Sequence, residues 1–75
     1  MTITRKFNND RAAGARRLSF NAKSCTLFLV HACGFQSECL RRETFATVDA
    51  ARAAWAEWQR NLENGGWQRG ETFTR

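Results

Sequence analysis

Seventy-five residues suffice for one small domain, and a chain of this length buries only about 60% of the surface its unfolded form exposes, which excludes a second core. With hydrophobic residues at 43% and charged residues at 25%, the composition is that of a folded globule and not of a disordered chain. The formal net charge of +5 points to an anionic partner, nucleic acid first among them, while saying nothing about the fold.

The charge is unevenly placed. Residues 1–23 hold Arg5, Lys6, Arg11, Arg16, Arg17 and Lys23 against Asp10 alone, whereas residues 24–75 hold as many acids as arginines. Residues 1–16 contain Asn8-Asn9-Asp10 and Gly14 with no sustained hydrophobic period, the pattern of a flexible basic arm. A single α+β domain is expected over residues 17–75.

Leu18, Phe20 and Ala22 alternate with Ser19, Asn21 and Lys23, the period of a half-buried first strand. Cys25 to Cys33 is apolar on both alternating faces and rich in β-branched and aromatic residues, as expected of a strand at the centre of a sheet. Gly34 supplies a turn, and Glu38 to Phe45 returns as a third, antiparallel strand, with Cys39, Arg41, Glu43 and Phe45 on one face and Leu40, Arg42 and Thr44 on the other. Thr47 is the expected N-cap of a helix, with Asp49 in its first turn. Val48, Ala51, Trp55, Trp58 and Leu62 fall at spacings of three and four and form one apolar stripe. Asn64-Gly65-Gly66 ends the helix through a left-handed glycine, and Trp67 to Phe73 alternates as a short edge strand. The expected architecture is a small two-layer α+β domain, a three- to four-stranded antiparallel sheet on one helix in the order β-β-β-α-β, carrying a basic N-terminal arm.

One helix covers one face of such a sheet, yet residues 26–33 are apolar on both faces. Three coverings are open: the arm with Ile3 and Phe7, a twin subunit, or a docked partner. Trp55 and Trp58 belong to the helix stripe and so to the core. Trp67, after two glycines and near Arg69, reads as an exposed anchor for a partner or a platform for base stacking.

No sequence signature of catalysis is present: there is no phosphate-cradling glycine loop, no H-E-x-x-H, no G-x-S-x-G and no paired carboxylates. His31 with Cys25, Cys33 and Cys39 lacks the short ligand spacing of structural zinc sites, and the odd number of cysteines suits reduced thiols. A non-catalytic protein without metal or cofactor is expected. The longest apolar run, Leu27 to Val30, is too short to span a bilayer and residues 1–10 hold no signal-peptide run, so a cytoplasmic setting without membrane contact is expected.

The stretch Phe45-Ala46-Thr47-Val48-Asp49-Ala50-Ala51-Arg52-Ala53-Ala54-Trp55 resembles the strand-to-helix junction of DNA-binding domains built from a three-stranded sheet and one helix, of the plant ethylene-response-factor and phage integrase arm-site types. That resemblance implies a sheet that enters the major groove and makes Arg41 and Arg42 contact candidates. Thr26 to Val30 departs from the ethylene-response pattern in carrying no cation. Phe45, Ala51, Trp55 and Gly66-Trp67 are also similar to the end of a WGR domain, without its Trp-Gly-Arg tripeptide. In size and basic α/β character the chain further resembles the small anti-CRISPR-type inhibitors encoded by phages.

These features give a first functional expectation: a small binding protein that contacts nucleic acid or a nucleic-acid-handling complex. Arg5, Lys6, Arg11, Arg16, Arg17 and Lys23 would supply phosphate affinity, and Arg41, Arg42 and Arg69 would extend the surface. The alternative is a phage- or mobile-element-encoded inhibitor that occludes a protein target, as a monomer or a homodimer, with Trp67 as its anchor.

Overall fold

The computed structural model describes residues 2–74; Met1 and Arg75 lie outside them. Strands β1 (Thr2–Asn8), β2 (Ala15–Asn21), β3 (Thr26–Cys33) and β4 (Gln36–Thr44) are followed by helix α1 (Val48–Asn64) and strand β5 (Gln68–Thr74). All five strands form one antiparallel sheet in the order β4-β3-β2-β1-β5. The α+β class and the sheet-on-helix layering are those expected. The order gains a strand at its start, and β2, not β3, is the middle strand.

That extra strand corrects the arm. Residues 2–8 do not hang free: they lie between β2 and β5 and pair with both, Ile3 opposite Phe20 and Thr74, and Phe7 opposite Arg16 and Arg69. Phe7 is 0% exposed. Side chains alternate across a strand, so Ile3, Arg5 and Phe7 share the helix side and cannot cover the second face. An arginine in the middle of this face is tolerated because two of its donors find acceptors on neighbouring elements. Arg5 Nη1 donates to Oε1 of the buried Gln59 on α1, and its Nε donates to Thr72 Oγ1 at 3.0 Å.

The helix forms where its signals stand. Thr47 Oγ1 accepts from the Ala50 N–H at 3.1 Å, and Asp49 lies in the first turn, where its charge suits the helix dipole. Ala51, Ala54, Trp58 and Leu62 are buried against Phe7, Leu18, Phe20 and Leu27 of the sheet, with Trp55 half-buried beside Phe20 at 6.0 Å between ring centroids. At the other end the Gly66 N–H donates to the Glu63 carbonyl and the Trp67 N–H to the Leu62 carbonyl, both at 3.0 Å. This is the paired bonding of a Schellman cap, and Gly66 at φ +91° takes the left-handed position it requires. The cap turns Trp67 back onto Leu62, so Trp67 is only 7% exposed. Its reading as an exposed anchor is therefore corrected.

In β4 the expected two-face pattern also shifts. The register slips between Leu29 and Val30, which pair with Arg41 and Cys39 and leave Leu40 as a bulge. A bulge flips the alternation of everything beyond it. Arg41 and Glu43 face α1, whereas Cys39 shares the opposite face with Arg42 and Thr44.

Two changes test this frame by urea denaturation. Phe7→Ala should lower stability by about 3–5 kcal/mol, the usual effect of emptying a phenyl site in a core, where removal of a mere arm residue would cost nothing measurable. Gly14→Ala should also destabilise, by more than about 1–2 kcal/mol, because its φ is +83° and a Cβ there would lie 2.3 Å from the Ala32 carbonyl oxygen.

Candidate functional site

The register divides the cations between two faces. Three strands carry adjacent pairs, Arg5-Lys6 on β1, Arg16-Arg17 on β2 and Arg41-Arg42 on β4, and in each pair the first side chain lies on the helix face and the second on the open face. The helix-side members are engaged within the protein. Arg5 is bonded to Gln59 and Thr72 as described, the Arg16 guanidinium lies 4.5 Å from the centre of the Trp67 ring, and that of Arg41 lies 4.0 Å from the centre of Trp58. Such cation-on-ring contacts contribute about 0.5–2 kcal/mol each, according to how far they are desolvated. Arg69 donates to Glu63 at 3.2 Å. Arg11 and Lys23 are exposed in the turns before and after β2.

The sequence thus nominated nine cationic positions, and the fold brings Lys6, Arg17 and Arg42 together on one surface. Among the described residues the ion pairs are Arg41–Glu43 and Arg69–Glu63, so these three are not in one. Lys6 and Arg17 stand directly opposite each other on paired strands, an arrangement of like charges that disfavours the sheet by itself. Glu71 on β5 is the acid among the positions of this face.

Around the cations the open face is apolar and hydroxylic. Thr2, Thr4, Arg17, Ser19, Phe28, Val30 and Phe73 line a hollow of about 500 Å³, a size within the range of ligand sites, about 300–1,000 Å³. Thr4 and Ser19 share a hydroxyl–hydroxyl hydrogen bond of 2.9 Å on its floor. Phe73 is 43% exposed at the β5 end. Composition alone hid Phe28 and Phe73 as site residues; their strand parity, opposite to that of Leu27, Leu29 and Thr72, was the signal that could have found them.

On the helix side, a smaller cleft of about 190 Å³ is walled by Arg16, Arg41, Trp58 and Trp67, below that size range. Nε of Arg16, on this cleft, and Nδ1 of His31 are buried without a hydrogen-bond partner among the described residues, and the His31 ring meets Trp67 edge-on at 6.0 Å. His31 faces α1, while Cys39 lies on the opposite face, and no group of three or more His, Cys, Asp or Glu side chains converges on a metal position among the described residues. Among the same residues no helix is long and apolar enough to cross a membrane.

No family model, no curated protein and no solved structure matches the chain.

The burial of the thiols is open to chemical test. Cys33 and Cys39 are exposed and Cys25 is half-buried, with its thiol 3.8 Å from the Ala22 carbonyl oxygen. A thiol-reactive probe on the native protein should label two cysteines rapidly and the third slowly, and mass spectrometry of the slow product should identify Cys25.

Proposed function

We propose that this is a non-catalytic nucleic-acid-binding protein that uses the open face of its sheet, with Lys6, Arg17 and Arg42 contacting phosphates. The observation that carries the reading is the like-charge pair of Lys6 and Arg17, held side by side on a face that already contains Arg42 and apolar surface. A polyanion relieves that repulsion and releases its own counterions, so affinity is gained from an arrangement that costs stability in its absence. Arg5, Arg16 and Arg41, by contrast, are engaged by other side chains of the protein, and Arg11 and Lys23 add positive potential at the rim. The affinity so produced is largely independent of base sequence.

An unpaired edge favours a second reading. β4 ends the sheet, with Leu40 exposed on its bulge and Phe35 fully exposed in the turn before it, an apolar strip of the kind that docks another protein. On this reading the chain is an occluding inhibitor of the phage or mobile-element type, and Leu40→Lys would abolish target capture while leaving nucleic-acid affinity intact.

The first reading is tested by titrating a short oligonucleotide between about 50 and 200 mM salt. The triple change of Lys6, Arg17 and Arg42 to Ala should weaken binding and reduce the slope of log affinity against log salt by about 2 with a single strand and about 3 with a duplex, since each phosphate contact contributes roughly 0.7 and 0.9 respectively. The pair Arg16→Ala and Arg41→Ala should lower the melting temperature and leave that slope unchanged. No binding by the native protein, or an unchanged slope in the triple variant, would overturn the proposal.

A further inference from the structure

We propose that the hollow between Phe28 and Phe73 is a trough for unpaired bases, so that the open face selects single-stranded nucleic acid over duplex; this rests on the nucleic-acid reading above and narrows it to one substrate class. The register places five residues in one row across the sheet: Phe73 on β5, Thr4 on β1, Ser19 on β2, Phe28 on β3 and Arg42 on β4. Side chains in a sheet stand roughly perpendicular to it. The two phenyl groups therefore rise on either side of a low floor whose two hydroxyls already satisfy each other at 2.9 Å. Three strand spacings separate them, about 14 Å, and bases stack about 3.4 Å apart, so the interval holds about three bases between the rings.

The neighbouring row supplies the other half of a nucleotide's chemistry. Lys6, Arg17, Val30 and Cys39 lie in register, two residues along β1, β2 and β3 and, across the bulge, three along β4, and so about 7 Å from the aromatic row. Bases resting in the trough would leave their phosphates beside Lys6 and Arg17, and Arg42 closes the far end of the base row. Stacking is tolerant of sequence, because every base offers a π face.

A duplex cannot use this surface in the same way. It keeps its base faces stacked inside and presents phosphates outermost, so its approach would press charged groups onto Phe73 and Phe28 and return nothing for their desolvation. Only the cations would contribute, which predicts a weak, strongly salt-dependent duplex complex.

The test is fluorescence anisotropy with a labelled single strand and the duplex of the same sequence, run in a DNA arm and an RNA arm. The tighter arm identifies the preferred sugar. The expected result is at least tenfold tighter binding of the single strand. Phe28→Leu and Phe73→Leu, which keep apolar volume and hence the fold, should each weaken single-strand binding by about 5- to 150-fold, the loss of one stacked base, with the salt slope unchanged and melting temperatures near native. Equal affinity for single strand and duplex, or Leu variants that bind as the native protein does, would overturn the trough while leaving the nucleic-acid reading standing. Absence of binding to either form would overturn both. Sedimentation at the same protein concentrations covers a competing occupant: a homodimer that Phe73→Asp converts to monomer would assign the hollow to a second copy and overturn the proposal.

Discussion

A helix of 17 residues is about 25 Å long and about 10 Å wide, and it is the whole of the second layer. Five strands side by side extend about 19 Å between the outer strand axes, so α1 can seal one face of the sheet and no more. Every other division in the molecule follows from that limit. Phe7, Leu18, Phe20 and Leu27 go under the helix, and residues one step away along the same strands lie on the opposite face. Among the described residues no further element closes the second side, so that side must be made compatible with water or with a partner. Hydroxyls and cations supply the first property, and Phe28, Val30 and Phe73 favour the second.

The same limit explains why identical residue types behave differently. Arg16 and Arg17 are neighbours in sequence, yet one stacks on Trp67 and the other stands opposite Lys6 in the open. The period of two in a strand is what separates them, and it separates Arg5 from Lys6 and Arg41 from Arg42 in the same way. Net charge therefore overstates the cationic surface that a partner meets. Part of the charge reinforces the seam between sheet and helix, where arginine serves as well as an apolar residue because its flat guanidinium covers an indole ring and its stem packs along the strand.

Much of the fold was legible in the sequence, and the failures have identifiable causes. Thr47, the stripe from Val48 to Leu62 and the glycines at 65 and 66 each carry a local signal, because caps and helical periodicity depend on residues close together in the chain. β1 was hidden by Arg5. A cation between Ile3 and Phe7 reads as a solvated segment until its two acceptors are known, and these sit 54 and 67 residues away on α1 and β5. Trp67 was misplaced for a related reason: its burial is set by the cap geometry that folds it back, which glycines announce but do not aim. The bulge at Leu40 has no compositional mark at all, and without it Cys39 falls on the wrong face. The cationic site was half legible. The residue types were visible, while the selection of three from nine depends on register, a long-range property.

The position of β1 carries a further consequence, for the order of assembly. Strands β1 to β4 can zip by successive hairpins, each closing a short loop, but β5 adds to the far side of β1 and joins Ile3 to Thr74. That pairing encloses nearly all of the described chain, and the entropy lost in closing so long a loop is recovered only when α1 is already seated to deliver β5 to its edge. Until then β1 is itself an edge, with its ladder of unpaired amides and carbonyls open to any extended segment nearby. Of the strand pairings, the docking of the seven-residue β5 thus closes the longest loop, and strand exchange between copies would act there.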